Sequence, residues 1–303
     1  MSASTTSPQK QPVRQNRMAD GRSRWTVPLY LDGMRTYLIL TLALLLGGCS
    51  TLPPPSDPPS TVGIRVATYN IRAGTDLQRR PNLERVAALL DSLSADVVLL
   101  QEVDRATARS GGVDQLAELA RITGMHGFFA RAMEFDGGEY GIAVLSRFPL
   151  LSAEAVPLTV AGYQDLSERS YEPRTLLHAV IDAPGGPIHL LNTHLDHHGG
   201  PVFRGPQIAR IIEHLSARIP DNAPTVLAGD LNAEPTAPEL VPLLTRFSDA
   251  WAACGAGPGL TYPADRPVRR IDYILLRGLT CTASTVPPTE LSDHRPVVVD
   301  LRR

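Results

Sequence analysis

Short apolar runs alternate with helical patterns from residue 64 to the end of the chain. The apolar runs predict strands at residues 65–69, 96–101, 141–145, 175–181, 188–193, 225–228, 271–276 and 296–301. Between the strands, apolar residues recur at helical spacing, first at Leu83, Val86, Leu89, Leu90 and Leu93, and later at Phe203, Ile208, Ile211, Ile212 and Leu215. This alternation predicts an α/β fold.

Polar residues stand at the ends or beginnings of the predicted strands. They are Asn70, Glu102, His194, Asp230 and Asp272. Catalytic and ligand-binding groups gather at strand ends, because the loops there converge on one edge of a sheet. The pattern therefore predicts one pocket that several separate segments feed.

Glu102 follows a fully apolar strand, where a carboxylate is costly to bury without a metal ion or a cationic partner. Magnesium binds a few carboxylate oxygens together with water and substrate phosphate, so Glu102 and one Asn or Asp can suffice. Asn70 can offer its carbonyl oxygen to such an ion, although an Asn after a strand is also a common turn former.

Asp230 and Asn232 are two residues apart and therefore face the same side of an extended chain. Gly229 allows another backbone to approach closely. In this arrangement Asp230 accepts a proton from water, and Asn232 holds a phosphoryl oxygen or the metal ion. An ordinary turn after a strand is the competing interpretation.

Histidines supply the remaining candidate chemistry. Asp293 and His294 precede the last predicted strand, where one can bind metal and the other phosphate. Asp272 would orient His294 and favour its charged form. His194 offers a second imidazole to the phosphate.

Next to His194, the cluster of Asp196, His197 and His198 allows two interpretations. One is a separate transition-metal site, and the other is a mobile loop.

The motifs occur in a specific order: Y-N-I-R, L-L-Q-E-V, N-T-H-L, G-D-L-N, I-D-Y-I and S-D-H-R-P. This order resembles the endonuclease/exonuclease/phosphatase superfamily, which includes deoxyribonuclease I, bacterial sphingomyelinases and inositol polyphosphate phosphatases. The resemblance runs from Ile64 to the C-terminus. It implies a four-layer α/β sandwich, in which two mixed β-sheets pack face to face with helices outside.

The resemblance also implies a role for each matched residue. Glu102 would be the principal Mg²⁺ ligand, with Mn²⁺ as a second candidate ion, and Asn70 and Asp293 would assist it. The implied catalytic residues are Asp230, Asn232, His194, His294, Asp272, which stands behind His294, Arg174, which approaches the phosphate, and Glu139, which orients His194.

Arg72 departs from one branch of the superfamily, because abasic-site endonucleases carry Asp at that position. This departure weakens the interpretation as a DNA-repair enzyme.

The expected activity is magnesium-dependent hydrolysis of a lipid headgroup, a small phosphoester or nucleic acid by a monomer outside the cytoplasm. The alternatives are an extracellular or periplasmic deoxyribonuclease-like endonuclease and a non-catalytic surface-binding lipoprotein.

An export signal is expected near the N-terminus. Residues 37–46 are apolar or Thr, too few to span a bilayer, and Arg35 precedes them. Leu46-Gly47-Gly48-Cys49 resembles a bacterial lipobox, in which the cysteine is acylated. We therefore expect a disordered or mis-included extension at 1–33, a signal peptide at 34–48, a Pro-rich tether at 49–62 and a catalytic domain at 63–303. The protein would be lipid-anchored in the cell envelope, at the outer membrane or periplasmic face, or secreted.

Composition adds two constraints. The net charge of −2 gives no broad basic field, which disfavours a dedicated DNA-binding protein without excluding a nuclease. The three cysteines are not spaced as zinc ligands. If Cys49 carries lipid, Cys254 and Cys281 either form a disulfide or remain separate buried thiols.

Overall fold

The computed structural model describes residues 63–158, 172–198 and 201–303. The predicted extension, signal peptide and tether, with Cys49, lie outside the described residues. In the ranges just given, no helix has the length and apolarity needed to cross a membrane.

The described chain forms strands and helices in close alternation. The strands are β1 (Ile64–Asn70), β2 (Val97–Arg105), β3 (His126–Phe135), β4 (Gly138–Ser146), β5 (Leu150–Pro157), β6 (Thr175–Ala183), β7 (Gly186–His194), β8 (Thr225–Asp230), β9 (Ser248–Asp249), β10 (Asp272–Arg277), β11 (Thr280–Thr285) and β12 (Val297–Arg302). The helices are α1 (Leu83–Ser92), α2 (Gln115–Thr123), α3 (Pro201–Arg218), α4 (Val241–Leu244) and α5 (Ala250–Cys254).

These strands form two six-stranded sheets. The first sheet has the order β11-β12-β1-β2-β4-β3, and the second has the order β5-β6-β7-β8-β10-β9. Both are mixed, because β1 runs parallel to β2 and β7 runs parallel to β8, whereas the other pairs are antiparallel. The expected four-layer α/β sandwich is confirmed.

Alternation along each strand builds the layers. In β2, Val97 and Leu99 face the second sheet, whereas Val98 and Leu100 pack under α1 and α2. Successive side chains of a strand point to opposite faces, so a fully apolar strand is buried on both sides. The outer face of the second sheet packs in the same way against α3 and α4.

A buried amide joins the two sheets near the strand ends. Asn192 of β7 donates to the backbone carbonyls of Leu100 and Ala143, both at 2.9 Å, and accepts from Gln101 Nε2 at 2.7 Å. Asn192 is fully buried. A buried amide with these partners fixes how one sheet sits on the other, since any slide would leave polar groups unpaired.

Cys254 and Cys281 form a disulfide, with their Cα atoms 6.0 Å apart. Cys254 ends α5, which directly follows the edge strand β9 of the second sheet, and Cys281 lies in the edge strand β11 of the first. Of the two alternatives that the sequence leaves open, the structure therefore supports the disulfide, which ties together one edge of each sheet.

Candidate active site

A pocket of about 380 Å³ opens where the polar strand ends of both sheets meet. The predicted residues that line it are Glu102, Arg174, His194, Asp230, Asn232, Asp293 and His294. Asn70 and Asp272 lie directly behind this wall, in contact with Asp230 and His294 respectively. The predicted convergence of distant segments on one pocket is therefore observed.

Asp230, at the end of β8, lies between the two histidines. Its Oδ2 is 3.5 Å from His194 Nε2 and 3.6 Å from His294 Nε2. Its Oδ1 accepts a hydrogen bond from the Asn232 backbone N–H at 2.9 Å. Burial, opposed by the nearby His294, raises the pKa of Asp230 to about 7. A carboxylate with such a pKa can accept a proton near neutral pH.

His294 is held as a cation by its surroundings. Its Nδ1 lies 2.9 Å from Oδ2 of Asp272. Asp272 begins β10 of the second sheet, whereas His294 lies in the loop before β12 of the first. Burial alone would lower the pKa of His294, but the Asp272 and Asp230 carboxylates outweigh burial and raise the pKa to about 10. The charged imidazole therefore points Nε2 into the pocket as a donor. The predicted pairing of Asp272 with His294 is present.

His194 has the opposite character. Burial and the positive charge of Arg174 lower the pKa of His194 well below its usual value. Its Nδ1 is buried and has no hydrogen-bond partner. The two imidazoles that flank Asp230 are thus one neutral and one charged, which suits a centre that both moves a proton and binds an anion.

Arg174, which directly precedes β6, is buried at 3% exposure. One of its terminal nitrogens pairs with Glu172 at 2.9 Å, whereas its Nε and Nη1 are buried without a partner. Unpaired buried guanidinium donors are costly, and a phosphate or another oxyanion satisfies them. This predicted residue therefore fits the role of an anion ligand.

Glu102 sits at an irregularity of β2, between Leu100 and Val103, where the pairing with β4 shifts register. Its φ is 53°, a conformation that is strained for a residue with a side chain. The bulge turns the carboxylate out of the sheet and into the pocket. Burial raises the pKa of Glu102, so a cation would stabilise its charged form.

Asn70 is adjacent to Glu102 and contacts Asp230 as well. Asn70 Nδ2 donates to Glu102 at 2.9 Å and to Asp230 at 3.2 Å, and its carbonyl oxygen accepts from the Arg72 N–H at 3.0 Å. Two adjacent carboxylates require a donor between them, and Asn70 supplies it and holds them together. The expectation that the Asn70 carbonyl oxygen assists a metal ion stays a prediction.

Asp293 faces the same pocket and pairs with Arg72 at 3.2 Å. The carboxylates of Asp293 and Glu102 offer hard oxygen ligands, which suit Mg²⁺ or Mn²⁺. The arginine that distinguishes this chain from abasic-site endonucleases thus neutralises one of the candidate ligands.

A model described as "Endonuclease/Exonuclease/phosphatase family" matches residues 67–294. The chain belongs to this family. The match spans every segment that contributes to the pocket. Family members are metal-dependent phosphoester hydrolases.

Relatives of this family member cover most of its length. The uncharacterized protein YbhP of Escherichia coli is 27% identical over 260 residues, which is 81% of this chain and 98% of YbhP. A crystal structure of an endonuclease/exonuclease/phosphatase from Beutenbergia cavernae has 28% identity and a TM-score of 0.62, and it covers 79% of this chain and 71% of that one. A mannosyl-6-phosphatase from Bacteroides thetaiotaomicron shares the fold at 20% identity and a TM-score of 0.63, covering 79% of this chain and 100% of its own.

Glu139 does not reach His194, and the expectation that it orients His194 is wrong. Glu139 of β4 pairs instead with Arg105 on β2 and with Arg131 on β3, the two strands beside it. Since successive strand residues face opposite sides, the neighbouring Tyr140 lines the pocket instead. Burial raises the pKa of Tyr140 well above its usual value.

Sequence reasoning missed several further pocket residues, namely Arg109, Glu172, Tyr262 and Arg269. Arg109 binds the buried Asp104 through two bonds of 2.7 Å and lies 4.5 Å from the centre of the Phe135 ring. These residues lie in loops without strand-end patterns, so no local signal marked them. The ring of Tyr262 packs beside His294, with 4.8 Å between the two ring centres, a contact that only the folded structure reveals.

The cluster of Asp196, His197 and His198 lies beside the pocket. His197 lines the pocket and its Nδ1 is 3.4 Å from Arg174, whereas His198 Nδ1 is 3.0 Å from Asp196. One ligand atom from each of the three falls within 4.8 Å of the others. The alternative of a separate transition-metal site stays a prediction.

Proposed function

We propose that this family member is a magnesium-dependent hydrolase of phosphoester bonds, acting as a monomer outside the cytoplasm. One observation supports the hydrolase activity, whereas the location outside the cytoplasm rests on the lipobox-like sequence. Asp230 lies between a neutral and a charged imidazole, in a pocket that also contains the buried, partly unpaired Arg174 and the Glu102 carboxylate. Phosphoester hydrolysis requires a group that accepts a proton from water, hydrogen-bond donors for the phosphate and a ligand for the metal ion.

In the proposed reaction, Asp230 orients a water molecule and accepts its proton as the water oxygen bonds to phosphorus. The P–O bond to the leaving oxygen breaks on the opposite side, and the released alkoxide takes a proton from solvent. The charged His294 donates from Nε2 to a phosphate oxygen, and Arg174 offers its free Nε and Nη1 to the same group. His194 and Asn232 complete the anion site. These donors are fixed before the reaction, so they stabilise charge in the transition state without reorganising.

Glu102 and Asp293 would hold the metal ion, with Asn70 keeping Glu102 in position. When bound, a divalent ion neutralises the charge that builds on the phosphoryl and leaving oxygens. The donor set favours Mg²⁺, with Mn²⁺ as the second candidate.

Small or lipid-linked phosphoesters are the proposed substrates, and nucleic acid is the alternative. The small pocket, the near-neutral net charge and the mannosyl-6-phosphatase of the same fold favour the first class. A plasmid-nicking assay beside a panel of phospholipids and sugar phosphates separates the two classes. Nicking without hydrolysis in the panel would establish the nuclease alternative.

The test of the chemistry is Glu102→Ala, with bis-p-nitrophenyl phosphate as substrate and Mg²⁺ present. We expect turnover to fall at least 10²-fold, since the lost carboxylate acts through the ion on the transition state. Glu118→Gln, in the exposed first turn of α2, is the matched control and should keep full activity. Full activity of a folded Glu102→Ala protein would refute the metal role. A wild-type protein inactive with Mg²⁺, Mn²⁺ and Ca²⁺ across phosphoesters would favour the non-catalytic alternative.

We also propose that Cys49 carries the lipid anchor, on the strength of the lipobox-like sequence alone. Bacteria that express the full chain should incorporate labelled palmitate into it, and Cys49→Ser should abolish the label and release the protein from membranes. Cys254→Ser keeps Cys49 and is the control. Equal labelling of the wild-type and Cys49→Ser proteins would refute the anchor.

A further inference from the structure

A second group of ligand-type side chains lies on the outer face of the second sheet. It consists of Glu154 on β5, His178 on β6, His189 on β7 and His214 on α3. A groove lined by Glu154, His178 and His189 leads to it, and in the described part of the chain this groove shares no residue with the active-site pocket. The proposed hydrolysis gives these side chains no role.

Three atoms of the group have the spacing of a metal site. His178 Nδ1 lies 2.9 Å from His214 Nε2 and 3.5 Å from Glu154 Oε1, and the remaining distance, from His214 Nε2 to Glu154 Oε1, is 3.9 Å. Zinc binds imidazole nitrogen and carboxylate oxygen at about 2.0–2.2 Å, so tetrahedral ligand atoms lie roughly 3.3–3.6 Å apart. The 3.5 Å distance falls in that range and the 3.9 Å distance slightly exceeds it. The 2.9 Å distance is that of a hydrogen bond between the two imidazoles, whose proton would leave when an ion binds.

We propose that Glu154, His178 and His214 form a second metal site, which takes Zn²⁺ or a similar borderline-soft divalent ion. Two imidazoles and one carboxylate form a common three-residue zinc ligand set, and water fills the fourth position. Nitrogen-rich ligands also distinguish this site from the oxygen ligands of the active-site pocket, which suit Mg²⁺. The ion would enter through the groove, where the Glu154 side chain is 43% exposed.

His189 orients His178, one of the three proposed ligands. Its Nδ1 lies 3.0 Å from His178 Nε2, on the side of the ring opposite the proposed ion. A histidine that binds metal through Nδ1 carries its proton on Nε2 and needs an acceptor there. His189 is that acceptor, and it thereby directs the free electron pair of His178 Nδ1 towards the ion.

Arg218 competes with the ion for Glu154. Its Nη2 lies 3.5 Å from Glu154 Oε1, and its side chain is 60% exposed. Because exposed ion pairs contribute little free energy, this arginine turns into solvent when a divalent cation binds. The bound ion then joins β5, β6 and α3, and it stabilises the folded protein because the unfolded chain lacks the site.

The test is zinc calorimetry on the full chain, stripped of metal and supplied with excess Mg²⁺ to occupy the active-site pocket. The wild-type protein should bind an equivalent of zinc that His214→Gln and Glu154→Gln lack. His189→Ala should keep that equivalent at about 10- to 100-fold weaker affinity. His126→Gln, an exposed histidine on β3, is the matched control and should bind zinc like the wild type.

Thermal melting gives a second measurement. With excess Mg²⁺ present, zinc should raise the melting temperature of the wild-type and His126→Gln proteins by more than that of His214→Gln. Any shift that remains in His214→Gln reports zinc bound elsewhere, such as at the cluster of Asp196, His197 and His198. Circular dichroism confirms folding, and Glu154→Gln, at a half-exposed position, keeps the test available if His214→Gln does not fold. Zinc binding of equal stoichiometry and affinity in the wild type and Glu154→Gln would overturn the proposal, and so would a wild type that binds no zinc.

Discussion

Two of the residues that matter most for the proposed chemistry have backbones in the left-handed region. Glu102 has φ 53° and Asn232 has φ 50°. Such conformations cost about 1–3 kcal/mol each for a residue with a side chain, and they persist where the surrounding fold enforces them. Here the strained backbone turns each side chain into the pocket. Glycine would relieve the strain at either position, but it would remove the side chain that the proposed reaction uses.

At this scale the sequence predicted well the residues that end an apolar strand. Glu102 and Asp230 could be found because a carboxylate after a buried run is conspicuous. Tyr140 and Arg109 could not, since one depends on which face of a strand turns inwards and the other on a loop. The prediction for Glu139 was wrong because the sequence does not show which of two neighbouring strand residues, Glu139 or Tyr140, faces the pocket.

Asp272→Asn should change how stability depends on pH. The pKa of His294 rises from 6.5 in the unfolded chain to about 10 in the folded protein, so the folded state holds the extra proton between these values. The resulting stabilisation is complete below pH 6.5 and is lost as the pH rises through about 10. Without the Asp272 charge the pKa of His294 falls, and part of this stabilisation is absent. Urea unfolding in EDTA, from pH 6.5 upwards, measures the effect.

The control for this measurement is Asp221→Asn, at a fully exposed carboxylate. It should reproduce the wild-type decline of stability with rising pH. If Asp272→Asn gives the same decline as the wild type, Asp272 does not set the charge of His294.

Among the elements, the central strands were predictable and the edge strands were not. Every predicted strand is present, with its ends shifted by a few residues at most. The strands that were missed, β3, β5, β9 and β11, are the outermost strands of the two sheets. An edge strand is largely solvent-exposed and carries charges, as the burial of β5 illustrates, so its sequence lacks the apolar run that marks a central strand.

Gly229→Ala should disrupt the centre of the second sheet. Gly229 has φ 143°, and a Cβ there would collide with the backbone carbonyl of Thr193 on the parallel neighbour β7. We expect a loss of about 2–4 kcal/mol in the free energy of unfolding, from strain and overpacking together. Urea denaturation measures the loss, and turnover should fall as well because Asp230 is the next residue.

Gly63→Ala is the matched control, because the same methyl group would meet only the Leu301 carbonyl oxygen there, at an ordinary contact distance of 3.6 Å. It should change the free energy of unfolding by about 0.5 kcal/mol or less, as surface substitutions usually do. Equal unfolding midpoints for the two variants would contradict the close approach of β7 and β8.

For the whole molecule, the order of the motifs predicted the layered architecture. It did not predict the contacts that join the layers. The contacts of Asn192 and the pairing of Cys254 with Cys281 join segments far apart in sequence. Neither has a local pattern. An asparagine inside an apolar strand and two isolated cysteines become informative only once both sheets are in place.

Removing the disulfide with Cys254→Ser and Cys281→Ser together should lower the free energy of unfolding by about 3–4 kcal/mol, the loop-entropy value for a separation of 27 residues. Thermal melting of the double variant and of the wild type, with and without reductant, measures the change. Reductant should bring the wild type to the level of the double variant and leave the variant unchanged. Identical melting temperatures under oxidising conditions would contradict a stabilising cross-link.

The pocket lies on the seam between the two sheets, and its tasks are divided along that seam. Glu102 comes from the first sheet and Asp293 from the loop that enters it, whereas His194 and Asp230 end strands of the second. The proton acceptor Asp230 therefore belongs to one half of the sandwich and both candidate ion ligands to the other, where His294 follows Asp293 in the same loop. A substitution at Glu102 can retune the cation preference while Asp230 and His194 keep their places in the second sheet.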